Sequence, residues 1–459
     1  MGELKSRLSV KQEPTSGRGT DCVNVDQDCL CLCGGRPHLL TRARFRSLRR
    51  TFVNHPSFSS QQPLPANPED WAEFYQRHLV EFVVPFWMRH ALDRKNGGLF
   101  TCIADNGQIL STDKYLWSQA RALWTFSALY RRIERRPEWL EVAHGLFNFC
   151  RRFGVDEDGC WRFRVSAEGK PIDGPLSIVV DCFAIFGLVE YACATGNSEA
   201  LAIARRAYVS VEDRLNSGRP FGTAPYPLPD GLKGHRYSMQ CSLAFHELGT
   251  ALGDESILAA GRRHTRQILD HYYRPEIGAF VEYTNLDGSF SDTPAGRTMV
   301  PGHGIESAWF QLQIFRESGR TAETPRALAI METCLNRGWD PVYGGLLLAL
   351  DVFNREEPFW KCPTGKMWWP ATESLCGTLL AYEVDPQEKW LSHHRKISEW
   401  TWQHFPLPEH GEWQQRLDRE GRPLREAIGF PVKDFFHLPR ALIVSIETLR
   451  RIQRAGRML

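Results

Sequence analysis

The sequence predicts an all-α fold, an (α/α)6 barrel of six helical hairpins in two concentric rings, with short β-hairpins on one rim. Three observations lead there. A glycine-centred hairpin signature recurs about every 60 to 67 residues. Apolar residues at helical spacing alternate with it. Neither end carries the polar capping repeat that an open solenoid would need.

The hairpin signature comes first. Asn96-Gly97-Gly98-Leu99-Phe100 precedes Asp105-Asn106-Gly107, and Asp158-Gly159-Cys160-Trp161 precedes Glu168-Gly169. Ile277-Gly278-Ala279-Phe280 precedes Asp287-Gly288, Tyr343-Gly344-Gly345-Leu346 leads into an apolar run, and His410-Gly411-Glu412-Trp413 precedes Glu420-Gly421. Each pairs a glycine with a short apolar or aromatic strand, and most add an acidic or Asn-Gly turn. One copy is skipped, and it falls near Phe221-Gly222.

Helical periodicity covers residues 70–92, 113–133, 137–153, 179–196, 198–215, 236–252, 255–273, 303–318, 323–337, 366–383, 387–404 and 434–456. These make six pairs of helices, each hairpin leading into the second helix of its pair. If the second helices form the inner ring, their polar starts meet at one mouth: Lys114, Trp117, Gln119 and Arg121; Asp181; His303 and Glu306; Lys366, Trp368 and Glu373; His437 and Arg440. Helix N-termini there would favour an anionic intermediate.

Composition narrows the function. Lys plus Arg number 56 against 54 Asp plus Glu, a balance that argues against a nucleic-acid footprint. No run of about eighteen apolar residues and no signal-type N-terminus is evident, so a cytoplasmic protein with no membrane contact and reduced thiols is expected. Fifteen tryptophans, many beside Glu, Arg or His, suit a carbohydrate cleft. Residues 1–65 lack periodicity and read as an extension; Cys22, Cys29, Cys31 and Cys33 lack zinc-knuckle spacing, and Arg42 to Arg50 read as solvated charge. Residues 66–459 form the predicted catalytic domain.

Within Pro301-Gly302-His303-Gly304-Ile305-Glu306, His303 and Glu306 share a helix face, so the carboxylate can set the imidazole tautomer, and the flanking glycines leave the ring uncovered. Lys433-Asp434-Phe435-Phe436-His437-Leu438-Pro439-Arg440 offers a second histidine. Pro363-Thr364-Gly365-Lys366 lacks the first glycine and the strand–loop–helix context of a phosphate loop. No metal-ligand spacing stands out, so no metal is expected.

Taken together, these segments resemble the N-acylglucosamine 2-epimerase family from about Trp71 to Arg451. The resemblance is carried by Gly97-Gly98-Leu99-Phe100-Thr101-Cys102, Asp113-Lys114-Tyr115-Leu116-Trp117 with Gln119 and Arg121, and Asp181-Cys182-Phe183. It continues through Pro301-Gly302-His303-Gly304-Ile305-Glu306, Lys366-Met367-Trp368-Trp369 with Glu373, and Phe436-His437-Leu438-Pro439-Arg440. It implies an (α/α)6 barrel, catalytic His303 and His437 with Arg121, ATP as an activator rather than a reactant, and a homodimer. The chain departs from the family at Ala371, at Val180 and across Lys233 to Met239, all expected around the pocket.

The expected reaction is inversion at C2 of an N-acylhexosamine or related aldose, the N-acylglucosamine/N-acylmannosamine pair first. One histidine removes the C2 proton and the other returns one to the opposite face of an enediolate stabilised by Arg121. Lys114, Trp117, Gln119, Asp181, Glu306, Trp309, Trp368, Glu373 and Arg440 are expected to bind substrate. Rival expectations are aldose–ketose isomerisation, a cellobiose-type 2-epimerase, an inverting glycoside hydrolase using Glu306 and Glu412, and a non-catalytic sugar-binding protein.

Overall fold

A computed structural model describes residues 64–217, 221–424 and 427–457. The predicted extension lies outside the described residues, apart from Leu64 and Pro65.

Twelve helices follow one another among the described residues. They are α1 (Pro68–His78, continued through a wide turn, Leu79–Val83, into Val84–His90), α2 (Leu116–Ala128, extended by Leu129–Ile133), α3 (Pro137–Phe153) and α4 (Ile178–Thr195). Next come α5 (Ser198–Asn216), α6 (His235–Leu252), α7 (Glu255–Gln267, extended by Ile268–Tyr272) and α8 (Pro301–Ser318). The last are α9 (Thr324–Gly338), α10 (Trp368–Val384), α11 (Glu388–His404) and α12 (His437–Arg454).

The even-numbered helices form the inner ring. Each contacts the next, and α12 returns to α2. Their sequences suit this position: every residue of Leu116–Ala128 is buried, because an inner helix is covered on all sides and needs small or apolar residues all round. The outer helices are amphipathic. α3 buries Trp139, Ala143, Leu146, Phe147 and Cys150 at helical spacing and turns Glu138, Glu141 and Arg151 to solvent. α4 is long and apolar enough to cross a membrane by composition, against the sequence-based expectation, but it is mostly buried as an inner helix.

One expectation about pairing is corrected. Each inner helix packs on the outer helix that follows it, not the one before, and α1 packs on α12. The reason is the length of the connections. Tight joints such as Gly196-Asn197 and Gly253-Asp254 end one helix with a left-handed glycine (φ 75° and 63°) and cap the next with an Asn or Asp side chain. The longer, hairpin-bearing connections step to the next pair. Docking α1 on α12 joins the two ends of the domain.

The hairpins are present, and they are also stitched to one another. Leu92 bridges Leu99, Val155 bridges Trp161, and Trp339 bridges Leu346. Strand β1 (Lys114–Tyr115) pairs with β2 (Arg164–Val165) of the next connection. The same step joins Leu232–Gly234 to Tyr283–Asn285, Thr298–Met299 to Leu350–Asp351, and Lys366–Met367 to Arg416–Leu417. Near the degraded copy a single bridge, Ser177 to Thr223, takes its place, and Ile103 to Gly429 closes the circle. The open solenoid is therefore excluded at both the helical and the rim level.

Candidate active site

The inner helices begin at the hairpin rim, so the side chains of their first turns surround one cavity of about 410 Å³. Six of the twelve expected site residues line it: Trp117, Arg121, His303, Glu306, Trp368 and His437.

His303, third residue of α8, places Nδ1 2.9 Å from Oε2 of Glu282. Glu282 lies in the connection between Ala279–Phe280 and Tyr283–Asn285 and is buried. Glu306 is therefore not the partner of His303, as helix spacing suggested. It accepts instead from Nη2 of Arg440. The glycines beside His303 also act differently from the expectation. A Cβ on Gly302 would collide with the ring of Trp369, and one on Gly304 with Sγ of Cys334. They allow close packing, and Trp369 covers His303 with ring centroids 4.9 Å apart and planes 32° apart.

His437 opens α12 and places Nδ1 2.7 Å from Oε1 of Glu373 on α10. Glu373 is fully buried and accepts two further bonds, from Nη2 of Arg440 at 2.7 Å and from Nε1 of Trp309 at 2.8 Å. Glu373, Trp309 and Arg440 thus form the layer beneath His437 rather than the cavity wall.

The two histidines differ in charge preference. Burial works against the charged form of His303, but the charge and hydrogen bond of Glu282 outweigh it and raise its pKa above 6.5. Burial lowers His437 to about 3, with Arg440 and Arg121 acting in the same direction against Glu306. With Nδ1 of each ring on a carboxylate, Nε2 is the nitrogen left for a substrate.

Arg121, the sixth residue of α2, donates from Nη1 to Oδ2 of Asp434 at 3.2 Å and lies 3.9 Å over the ring of Phe183. Trp117 is anchored by Nε1 to the carbonyl of Pro431 at 2.7 Å.

Three expected substrate ligands are corrected. Lys114 donates to Asp93 at 2.7 Å and to the carbonyls of Gly97 and Ala167. Gln119 accepts from the Leu99 N–H and donates to the Leu99 carbonyl. Asp181 is ion-paired with Arg214 at 2.7 Å and bonded to the Trp161 N–H, with burial raising it to about 6. All three hold hairpins against helix starts. Lys366 repeats the Lys114 pattern on Asp340 and Gly345. The hydrolase pair fails as well: Glu412 is buried on Trp87 and Lys433, and Glu306 is held by Arg440.

Sequence reasoning missed Glu282, Tyr226, Tyr283, Trp360 and Trp369, of which all but Glu282 line the cavity, while Arg236, in a stretch expected around the pocket, lines it too. The double tryptophan was a signal for Trp369. Among the described residues, two groups of side chains bring ligand-type atoms within 4.8 Å of one another, Glu306–Glu373–His437 and His235–Glu282–His303. The Arg440 guanidinium already donates to both carboxylates of the first. The second is the place where a metal could be held.

Comparison with known proteins agrees with this geometry. Residues 98–441 match the N-acylglucosamine 2-epimerase (GlcNAc 2-epimerase) family model. The chain is 30% identical to the N-acylglucosamine 2-epimerases of Bos taurus and Homo sapiens, over 83% of this chain and 92% and 90% of those proteins. The structure of cellobiose 2-epimerase from Bacillus thermoamylovorans superposes with a TM-score of 0.73 at 19% identity, covering 83% of this chain and 99% of that one, and so shares the barrel. The ring of six helical pairs is thus shared with a known sugar epimerase, and this chain belongs to the N-acylglucosamine 2-epimerase family.

Proposed function

We propose that the protein inverts C2 of an N-acylhexosamine, interconverting the gluco and manno configurations, by two-histidine proton transfer. The observation that carries this is the pair of imidazoles, each bound through Nδ1 to a buried carboxylate, in the wall of one cavity. The open-chain aldehyde makes the C2 proton acidic enough to remove. His437, held neutral, takes that proton on Nε2, and the pair of electrons moves into an enolate at the C1 oxygen. His303, with its pKa raised, delivers a proton to the other face of C2. Arg121 stabilises the negative oxygen. The two proton positions are restored through solvent before the next turnover.

In this scheme Trp117, Trp368 and Trp369 supply flat apolar faces for the sugar, and Arg440 positions His437 through Glu373. Inversion at C2 involves no net oxidation and no phosphoryl transfer, so ATP has a place only as an activator. We place the protein in the cytoplasm as a homodimer, in line with its family resemblance.

The test is incubation in D2O with a panel of sugars, followed by NMR. Deuterium at C2 with inversion supports the proposal. A ketose product would instead make the protein an isomerase, and release of a reducing end would make it a hydrolase.

A further inference from the structure

The cavity wall is unbalanced in charge. Arg121, Arg236 and Lys361 line it, while Glu306 is the one carboxylate among the described lining residues, and Glu306 is bound to Arg440. Arg236 stands out within that wall. Four other buried arginines sit on carboxylates: Arg121 on Asp434, Arg214 on Asp181, Arg297 on Asp351, and Arg440 on Glu306 and Glu373. Arg236 is 7% exposed, yet its hydrogen-bond contacts are neutral, and the nearby buried carboxylate, Glu282, is already bound to His303. Its Nη2 donates to the carbonyls of Tyr226 and Thr223 and to the hydroxyl of Tyr237, and its Nη1 has no partner.

A buried charge without a counterion is costly to keep. Three neutral acceptors fix the direction of this guanidinium without neutralising it. Tyr226 and Tyr283 lie beside it and also line the cavity. Such a group is prepared for a ligand that brings negative charge, because a guanidinium recognises phosphate or carboxylate oxygens in pairs. Arg236 belongs to Lys233-Gly234-His235-Arg236-Tyr237-Ser238-Met239, a stretch expected from the sequence to lie around the pocket.

We infer that the substrate carries an anionic group, phosphate or carboxylate, away from C2, and that Arg236 is the residue that selects it. This rests on the assignment of the cavity as the reaction site. His303 borders the same region, so the anion and the reacting carbon can occupy neighbouring parts of one pocket.

The test compares kcat/KM of the wild-type protein for N-acetylglucosamine, its 6-phosphate and the corresponding uronic acid. At least one anionic sugar is expected to exceed the neutral one by about 10- to 100-fold, the range of a charge-assisted hydrogen bond or two. Which anionic sugar leads tells phosphate from carboxylate. Arg236→Met should lower kcat/KM for the favoured anionic sugar at least about tenfold more than for the neutral one, and Arg236→Lys should recover part of the difference. Inorganic phosphate should inhibit wild-type turnover of the neutral sugar competitively, a measurement that needs no variant. Equal turnover of neutral and anionic sugars overturns the inference, as does an equal loss for both in Arg236→Met, which would make Arg236 an oxyanion donor. If the wild-type protein turns over none of these sugars, the assignment of the reaction site fails instead.

Discussion

The two histidines of the cavity share a partner type but not a protonation preference. His303 and His437 both open inner helices and both place Nδ1 on a buried glutamate. Around His303 burial is outweighed by the charge and hydrogen bond of Glu282, with Glu306 acting in the same direction, and the imidazole pKa is raised. Around His437 the glutamate is shared with Arg440 and Trp309, whose hydrogen bonds take up its acceptor capacity, and burial lowers the imidazole to about 3. A histidine–carboxylate pair therefore has no fixed function. Burial and the charges around each imidazole together set the direction in which its pKa moves.

The largest expected effect removes the pair itself. His303→Ala and His437→Ala should each lower net epimerisation by about 10²- to 10⁴-fold, the usual contribution of a positioned acid or base. NMR in D2O would show whether one-sided exchange at C2 survives. Near wild-type turnover in either variant would break the two-base comparison.

Arg440 is the next point of difference. Arg440→Met leaves Glu306 and Glu373 buried without their cation and should cost about 3–5 kcal/mol in urea unfolding. In the folded fraction the His437 imidazole should titrate at higher pH, since a group that lowers it is gone. An unchanged titration would show that Arg440 is not what separates the two sites.

Stability should depend on pH with opposite sign at the two sites. The folded pKa of His437 lies below its ordinary 6.5, so its contribution is present above pH 6.5 and is lost as pH falls towards 3. The other buried neutral histidines, His78, His235 and His394, act in the same direction. The folded pKa of His303 is raised, so its contribution is present below 6.5 and is lost as pH rises through the raised value. Tm measured against pH should become less acid-sensitive in His437→Gln and less sensitive to rising pH in His303→Gln. The same change in both variants would refute the asymmetry.

A smaller effect is expected at Glu282. Glu282→Gln keeps a hydrogen bond to His303 but removes the charge, so the alkaline limb of the kcat/KM profile should move to lower pH. A limb that stays in place would assign it to another group. The smallest effect expected is that of EDTA, which should leave turnover unchanged. Loss of activity restored by a divalent ion would show that His235, Glu282 and His303 form a metal site.

The barrel was legible in the sequence because its signals are local. Left-handed glycines, Asn and Asp caps and the change from period two to period 3.6 all act over a few residues, and they recur six times with one degraded copy. His303 and His437 were legible because each sits at a helix start in a segment unlike a core helix. Lys114, Gln119 and Asp181 misled for a related reason. They are polar, buried and part of the motif, but they bind the backbone and side chains of the rim.

What the sequence by itself determined is the repeat, the number of helices and the two histidines, because these depend on backbone conformation and on residue order. Only the tertiary structure decided which carboxylate each histidine meets and which cations face the cavity. Glu282 is 21 residues from His303, and Glu373 is 64 from His437. No helical or strand periodicity links such positions, and the repeat of about 64 residues that sets Glu373 and His437 on successive inner helices does not fix their contact. Closure of the ring brings them together, and their burial and shared partners then set the charge that each imidazole carries.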